Sequence, residues 1–264
     1  MTAEIPALVL AGSRRGEADP VAAHAGVRHK CLAPAAGVPM LCRVVEALRA
    51  VPRIGTIHIA VTDPRLLEEP ACLREPLCEG RIRPAACAAS VSRSVAAVFA
   101  GTGPPLLVTT ADHPLLTASM IESFLDLAAR EPADLVAGLV AEATIRERLP
   151  QTRRTFLRFR DGGFSGANLF LLAAANAAAI LAFWQRVEAE RKRPWRIARA
   201  LGPGLLLAYL LRRQSLERAM QRASRRIGGT ARAVVLPFAE AAVDVDKPAD
   251  LELVEELLAR REAA

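Results

Sequence analysis

Short apolar runs alternate with longer helical stretches along the first 140 residues of the chain. Apolar runs of four to eight residues bounded by turn residues predict buried strands. The predicted strands cover residues 7–10, 56–61, 81–84, 106–109 and 134–140. The predicted helices cover residues 40–51, 92–100 and 118–130, and Thr117 is expected to cap the last of them. Strand–helix alternation of this kind predicts a mostly parallel sheet covered by helices on both faces.

The pattern changes after Pro150. Residues 155–160 and 164–172 flank the turn sequence Asp161-Gly-Gly, which predicts a β-hairpin. A helix is predicted from the hairpin to about residue 192, followed by a segment at 195–201. A leucine-rich helix pair is predicted over 205–227, with Ser215 as a cap. A strand over 232–236 and a helix starting at Pro248 complete the predicted elements. The most apolar run, residues 169–184, is too short for a bilayer span. We therefore predict one domain over residues 1–264 that carries a basic helical insert over 174–228.

The composition limits the classes of protein that the chain can represent. With 264 residues of which 52% are hydrophobic, the chain can bury a large core, which excludes wholesale disorder. The net charge of +7 is concentrated in residues 186–226, where twelve basic residues face three acidic ones. One tyrosine and two tryptophans provide few stacking surfaces, so we expect no nucleic-acid partner.

The cysteines and the first residues predict where the protein works. The five cysteines include no Cys-x-x-Cys pair and no disulfide framework, so we expect buried thiols in a reducing cytosol. The start Met-Thr-Ala-Glu-Ile-Pro lacks the pattern of a signal peptide. The predicted location is cytoplasmic, with peripheral contact at the inner membrane face as an added option.

The first motif with chemical content is Ile5-Pro-Ala-Leu-Val-Leu-Ala-Gly-Ser-Arg-Arg-Gly16, followed by Lys30. A strand that ends in small residues lets backbone N–H groups approach phosphate oxygens, and arginine and lysine can neutralise a triphosphate. Small residues also follow strands in many α/β turns, so a purely structural interpretation stays open for this motif alone.

The second motif is Leu106-Leu-Val-Thr-Thr-Ala-Asp-His-Pro-Leu-Leu-Thr117. A carboxylate at the carboxyl end of a buried strand can hold Mg²⁺ together with phosphates and water. The alternative is that Asp112 caps the next helix, but Thr117 lies nearer to that helix. His113 can be a base or, as we favour, a turn histidine satisfied by the backbone.

The third motif is Val243-Asp-Val-Asp-Lys-Pro-Ala-Asp-Leu251. Alternation on a strand would place Asp244 and Asp246 on one face, with Asp246 beside Pro248 at the start of a helix. These carboxylates form a second candidate for metal binding. Asp250 falls in the first turn of that helix, where an acid is expected for structural reasons.

Together these motifs resemble those of nucleotidyltransferases built on the glycosyltransferase-A-like Rossmann scaffold. The similarity is greatest to the molybdenum-cofactor guanylyltransferase-like branch of NTP transferases, with the cytidylyltransferases of isoprenoid and sugar-acid activation as relatives. The resemblance covers residues 5–255 and implies a three-layer α/β/α sandwich of the nucleotide-diphospho-sugar transferase type. It also implies Mg²⁺-dependent transfer of NMP from an NTP to a phosphorylated sugar, polyol or lipid precursor, with release of pyrophosphate.

The same resemblance implies roles for individual residues. The catalytic residues would be the cations Arg14, Arg15 and Lys30 together with Asp112. Asp112 would be the main ligand of Mg²⁺ and Asp246 the second. The nucleotide would lie against Leu10, Ala11, Gly12, Ser13, Ser94 and Ala111. The acceptor would lie against Gly166 and Asn168.

Departures from the family pattern leave alternatives open. The loop between Arg15 and Lys30 is long, Lys247 stands where a threonine is usual, and residues 195–227 have no counterpart in small members. This insert is interpreted as a helical flap, a homodimer contact or a surface for anionic lipid, and we expect it to cover the acceptor side of the site. The competing functions are a glycosyltransferase on the same scaffold and a non-catalytic protein that binds nucleotides or a membrane surface.

Overall fold

The apolar runs form strands close to the predicted positions. The computed structural model describes residues 4–13, 19–190, 211 and 213–263. The strands within these ranges are β1 (Ile5–Leu10), β2 (Pro34–Ala35), β3 (Val38–Pro39), β4 (Ile54–Val61), β5 (Ile82–Ala86), β6 (Leu106–Thr110), β7 (Leu135–Ala141), β8 (Leu157–Phe159), β9 (Gly162–Leu172) and β10 (Ala231–Leu236).

The helices within the same ranges include three that were not predicted, over residues 20–24, 71–78 and 142–148. The described helices are α1 (Pro20–His24), α2 (Met40–Arg49), α3 (Ala71–Cys78), α4 (Val91–Thr102), α5 (Ala118–Ala128), α6 (Glu142–Arg148), α7 (Ala177–Ala189), α8 (Leu216–Ile227) and α9 (Pro248–Glu262). Both predicted caps are confirmed, because the Thr117 hydroxyl accepts a hydrogen bond from Met120 N and the Ser215 hydroxyl accepts one from Arg218 N. Among the residues that the structure describes, short 3₁₀ helices cover Lys30–Leu32, Pro64–Leu67 and Ala239–Ala242.

The described residues form two compact units, and the first comprises residues 1–87, 108–122 and 243–264. In this unit β1 pairs in parallel with β4, and β4 pairs in parallel with β5. The backbone N–H of Ala111, just past β6, donates to the carbonyl of Leu10 at 3.0 Å. The carboxyl ends of these strands therefore meet at one edge, which is where ligands bind in open α/β sheets.

The second unit comprises residues 88–107 and 123–242. Here β7 pairs in parallel with β10 and antiparallel with β9, and β8 and β9 form the predicted hairpin. The hairpin prediction and the α/β fold with a mostly parallel sheet are thus confirmed. The prediction of a single domain over the whole chain stays a prediction.

Two predictions about local structure are wrong. Residues 243–246 form no strand, because Val245 N donates to the carbonyl of Asp112, beyond the end of β6, where no strand ladder continues. Cys42 and Cys72 form a disulfide between α2 and α3, with their Cα atoms 6.3 Å apart. That pairing depends on how two helices pack, which cysteine spacing does not reveal. Cys31, Cys78 and Cys87 are free thiols.

Candidate active site

The loop after β1 is fixed by backbone hydrogen bonds to its neighbours in the first unit. Ala11 N donates to the carbonyl of Ala60 at 2.8 Å, and the carbonyl of Leu10 accepts from Ala111 N. Ala11 is buried, whereas Gly12 is exposed. The start of the predicted nucleotide loop is therefore held by backbone hydrogen bonds at Ala11, and Gly12 beside it is accessible to solvent. Arg14 and Arg15 lie outside the described residues, so their predicted roles stay predictions.

Gly12 has a steric reason for lacking a side chain. A Cβ atom at this position would lie 2.9 Å from the Cys87 sulfur, closer than a normal contact. Cys87 follows β5 directly, and burial raises the pKa of its thiol although a hydrogen bond with Thr62 acts in the opposite direction. Cys87 thus packs behind the loop at Gly12. Its thiol is predominantly protonated at neutral pH.

Lys30 brings the two predicted metal-binding carboxylates together. Its Nζ donates to Asp112 Oδ2 at 2.7 Å and to Asp246 Oδ1 at 3.2 Å. The Lys30 side chain is 15% exposed, Asp112 is 26% exposed and Asp246 is 73% exposed. Residues that are 82 and 216 positions apart in the sequence therefore form one charged cluster at the carboxyl ends of the strands.

The electrostatics of this cluster favour a charged lysine. Burial by itself lowers the pKa of the Lys30 ammonium, but the Asp112 and Asp246 carboxylates outweigh that effect and hold the pKa above its ordinary value. The lysine is positioned by the short helix Lys30–Leu32, whose N-cap His29 accepts a hydrogen bond from Cys31 N through its side chain. Lys30 thus provides a fixed positive charge at neutral pH.

Asp246 is held in place by the helix that follows it. The Asp250 carboxylate accepts hydrogen bonds from the backbone N–H groups of Asp246 at 3.0 Å and Lys247 at 3.1 Å. This geometry agrees with the prediction that Asp250 has a structural role in the first turn of that helix. Asp244, the other acid of the motif, is half-buried between Val243 and Val245, which are fully buried.

The donor set fits a hard divalent cation. Two carboxylate oxygens share one nitrogen partner, and Mg²⁺ is commonly held by one or two carboxylates together with substrate phosphates and water. Within the described ranges no group of three or more histidine, cysteine or acidic side chains forms a metal site. An ion held by Asp112 and Asp246 would need further ligands besides these two carboxylates.

His113 follows Asp112 and is fully buried in the turn after β6. Its backbone carbonyl accepts a hydrogen bond from Leu116 N at 3.1 Å, which helps to close that turn. This position agrees with the favoured interpretation of His113 as a turn residue.

Ser94, the predicted contact of the base, belongs to the second unit and lies in the first turn of α4. Its hydroxyl accepts from Ala88 N at 2.9 Å and donates to the carbonyl of Ser90 at 3.2 Å, and the residue is buried. These bonds give Ser94 a structural role in shaping the segment before α4. Contact with the base stays a prediction.

Glu188, which the sequence analysis did not single out, contacts the first turn of the same helix. The Glu188 carboxylate of α7 accepts from the Ser92 hydroxyl at 2.5 Å and from Ser92 N at 3.2 Å. A carboxylate at a helix N-terminus is stabilised by the unpaired N–H groups there. Cys87 is the second missed residue, and its position three residues after the predicted strand 81–84 was the signal that could have indicated it.

The predicted acceptor residues lie on an irregular part of β9 in the second unit. Pairing with β7 passes from Leu139↔Gly166 to Ala137↔Phe170, so residues 167–169 face Gly138 alone. Asn168, inside this bulge, has a φ of 50°, a left-handed conformation that is uncommon for residues other than glycine. Gly166 is exposed. The structure thus shows an unusual backbone here, and contact with an acceptor stays a prediction.

The basic insert is described only in part. The leucines at 205–207 and 210 lie outside the described residues, as does the predicted segment 195–201. Leu216 is buried with Leu139 and Phe164, and Met220 packs against them. The packing of these two side chains agrees with the interpretation of this part of the insert as a helical flap, and the dimer and lipid interpretations stay predictions.

Comparisons with known proteins agree with this geometry. A family model described as a MobA-like NTP transferase domain matches residues 7–234. A solved structure described as a hypothetical transferase from Thermus thermophilus is 34% identical, with a TM-score of 0.76, and the match covers 94% of this chain and 99% of that one. The search of curated proteins found no match.

Two more distant structures share the fold. CMP:2-keto-3-deoxy-manno-octonic acid synthetase complexed with CTP is 16% identical with a TM-score of 0.57, over 99% of this chain and 100% of that one. The 4-diphosphocytidyl-2C-methyl-D-erythritol synthase from Anaerococcus prevotii is 10% identical with a TM-score of 0.58, over 98% and 97%. Because the family model spans most of the sequence, the chain belongs to the MobA-like NTP transferase domain family and is a nucleotidyltransferase.

Proposed function

We propose that this nucleotidyltransferase moves a nucleoside monophosphate from an NTP to a phosphorylated small-molecule acceptor and releases pyrophosphate. The observation that carries the proposal is the Lys30 ammonium between the Asp112 and Asp246 carboxylates, in the same unit as the exposed Gly12. A phosphorylated sugar, polyol or lipid precursor ranks above the molybdenum cofactor as the acceptor, because the basic insert has no counterpart in the small members of the family.

The chemistry needs positioning and charge neutralisation more than a protein base. The acceptor phosphate is already ionised near neutral pH, so one of its oxygens attacks the α-phosphorus of the NTP directly. The new P–O bond forms as the bond from the α-phosphorus to the β-phosphate oxygen breaks, and pyrophosphate leaves with that electron pair. This mechanism agrees with the favoured interpretation of His113 as a turn residue.

Each residue of the cluster has a task in that reaction. The backbone of the exposed Gly12 approaches the phosphates, and Lys30 offsets the negative charge that develops as pyrophosphate leaves. Asp112 and Asp246 would hold Mg²⁺, which neutralises phosphate charge and orients the triphosphate for in-line attack. Asp250 keeps Asp246 in place through its backbone N–H.

The test is a pyrophosphate-release screen of the four NTPs against a panel of phosphorylated acceptors, with Mg²⁺ present. We expect release that depends on one NTP and one acceptor and that Asp112→Asn abolishes. Asp126→Asn, an exposed position on α5, is the matched control and should retain activity. Hydrolysis of sugar nucleotides without pyrophosphate release would favour a glycosyltransferase, and NTP binding without turnover across the panel would favour a non-catalytic protein.

A further inference from the structure

The exposed side of α8 is covered by arginines. Arg218, Arg222, Arg225 and Arg226 are spaced four, seven and eight residues from the first, which places them on one helix face. All four are exposed, and so is Arg213 just before the helix. We call these five residues the arginine face.

The opposite side of α8 is committed to the protein core. Leu216 is buried against Leu139 and Phe164, and the Ser224 hydroxyl accepts from Ala231 N at 2.9 Å. The helix is therefore fixed on the second unit and cannot turn its apolar side outward. Any partner of α8 meets the arginine face.

The arginine face lacks internal neutralisation. Within the described ranges, no carboxylate pairs with the guanidinium groups of Arg213, Arg218, Arg225 or Arg226, and Arg222 contacts only the Gln214 amide oxygen, at 3.4 Å. The one acid on the helix, Glu217, is hydrogen-bonded to Gln221 instead. Five positive charges are thus exposed, whereas the acids beside them are Glu217 on the helix and Asp161, whose carboxylate accepts a hydrogen bond from Leu216 N. The excess of positive charge favours anionic partners.

We propose that the arginine face docks on the anionic phospholipid headgroups of a membrane surface. A guanidinium group can donate two parallel hydrogen bonds to the oxygens of one phosphate. Each basic residue near an anionic bilayer strengthens membrane binding by about fivefold. Leu211, two residues before Arg213, is 52% exposed and provides an apolar contact at the headgroup level. Among the described helices none is long and apolar enough to cross a bilayer.

The charge pattern favours a membrane over nucleic acid. The arginines lie on a single short helix without aromatic side chains interleaved between them, whereas binding of single strands depends on base stacking. Because the contact is electrostatic, it weakens as salt screens the charges. The proposal does not depend on the proposed reaction.

The experiment is flotation of the full chain with vesicles of phosphatidylcholine alone and of phosphatidylcholine with about 30% phosphatidylglycerol, without substrates. We expect binding only to the anionic vesicles, and loss of that binding as salt is raised. The variant R218Q/R222Q/R225Q/R226Q should lower the partition coefficient at least about a hundredfold. The matched control R81Q/R83Q/R130Q/R148Q removes the same charge from exposed positions elsewhere and should change binding much less.

Circular dichroism and thermal melting check that each variant is folded, and the salt dependence of the unmodified protein tests the proposal without any variant. The proposal is overturned by equal binding to neutral vesicles, by equal losses in the two quadruple variants, or by binding to a duplex oligonucleotide without binding to anionic vesicles. The result also differs from a failure of the proposed function, because flotation requires no turnover.

Discussion

The carboxylate of Asp250 accepts a 3.0 Å hydrogen bond from the backbone N–H of Asp246, so the first turn of α9 fixes the position of a candidate metal ligand. We predict that Asp250→Ala raises the Mg²⁺ concentration for half-maximal pyrophosphate release severalfold and lowers the free energy of unfolding by about 1 kcal/mol. A magnesium titration and urea unfolding measure the two effects.

Asp250→Asn keeps an acceptor oxygen and should recover part of the loss. Glu252→Ala, exposed on the same helix, is the control for helix stability alone. If Asp250→Ala changes stability and leaves the magnesium titration unaltered, Asp250 has no role in positioning Asp246.

Removal of either carboxylate that contacts Lys30 should impair catalysis by different amounts. We predict that Asp112→Asn lowers kcat/KM by about a hundredfold or more, since it removes a half-buried ligand of the phosphate-bound cation. Asp246 is far more exposed, so Asp246→Asn should cause a smaller loss that high Mg²⁺ partly restores. Steady-state kinetics at several magnesium concentrations test this ranking, and equal kinetics of both variants and the unmodified protein would remove the carboxylates from the site.

Lys30 should act through charge and through geometry. Lys30→Met is expected to lower kcat/KM by about a hundredfold, because the cation that faces the departing pyrophosphate is lost. Lys30→Arg keeps the charge but changes the donor geometry, so partial activity is expected. Normal kinetics for Lys30→Met, measured under the same conditions, would show that the lysine serves only to pair with the carboxylates.

Gly12 and Cys87 form a steric pair that a double variant can test. Gly12→Ala would place a methyl group against the Cys87 sulfur and displace the loop, so we expect weaker NTP binding by isothermal titration calorimetry. The double variant G12A/C87A removes the sulfur and should recover most of the affinity. Gly101→Ala, where no atom lies within 4 Å of the added Cβ, is the control. If the single variant Gly12→Ala and the double variant G12A/C87A bind the NTP with equal affinity, the steric explanation is contradicted.

Glu142 links α6 to the β8–β9 hairpin and makes stability depend on pH. Hydrogen bonds from Arg146 and Arg158 lower the pKa of its carboxyl below the ordinary 4.5. A lowered folded-state pKa means that the stabilisation is complete above about 4.5 and is lost as the pH falls through the folded-state value.

Glu142→Gln should therefore unfold at a lower urea concentration than the unmodified protein at about pH 7, and the difference should shrink towards about pH 3. Glu147→Gln, exposed on the same helix, is the matched control and should show no such convergence. A difference between the Glu142 variant and the unmodified protein that stays constant with pH would rule out the ion pairs as its source.

The fold was predictable because most strands are continuous apolar runs and most helices carry local stop and start signals. The Thr117 and Ser215 caps are examples, since each requires only neighbouring residues. The strand predicted at 243–246 failed because alternating burial of Val243 and Val245 also arises in a segment that packs without a partner strand.

The sequence predicted most residues of the candidate site but not the contacts between them. Asp112 was identified as an acid at the end of a strand and Asp246 as an acid at the start of a helix. Their shared hydrogen-bond partner Lys30 lies 82 and 216 residues away from them in the sequence, so no local motif reveals these contacts. Cys87 and Glu188 were missed because their roles arise from packing against Gly12 and Ser92. Motifs report local chemistry, whereas these contacts depend on tertiary structure.

The bulge in β9 has a consequence for how this region can change in evolution. Between Gly166 and Phe170 the strand advances four residues while β7 advances two, so two residues are extra. Because side chains alternate with a period of two, an even insertion leaves the inward-facing positions on either side unchanged. The segment around Asn168 can therefore be lengthened or reshaped in steps of two residues while Leu171 and the rest of the core keep their places.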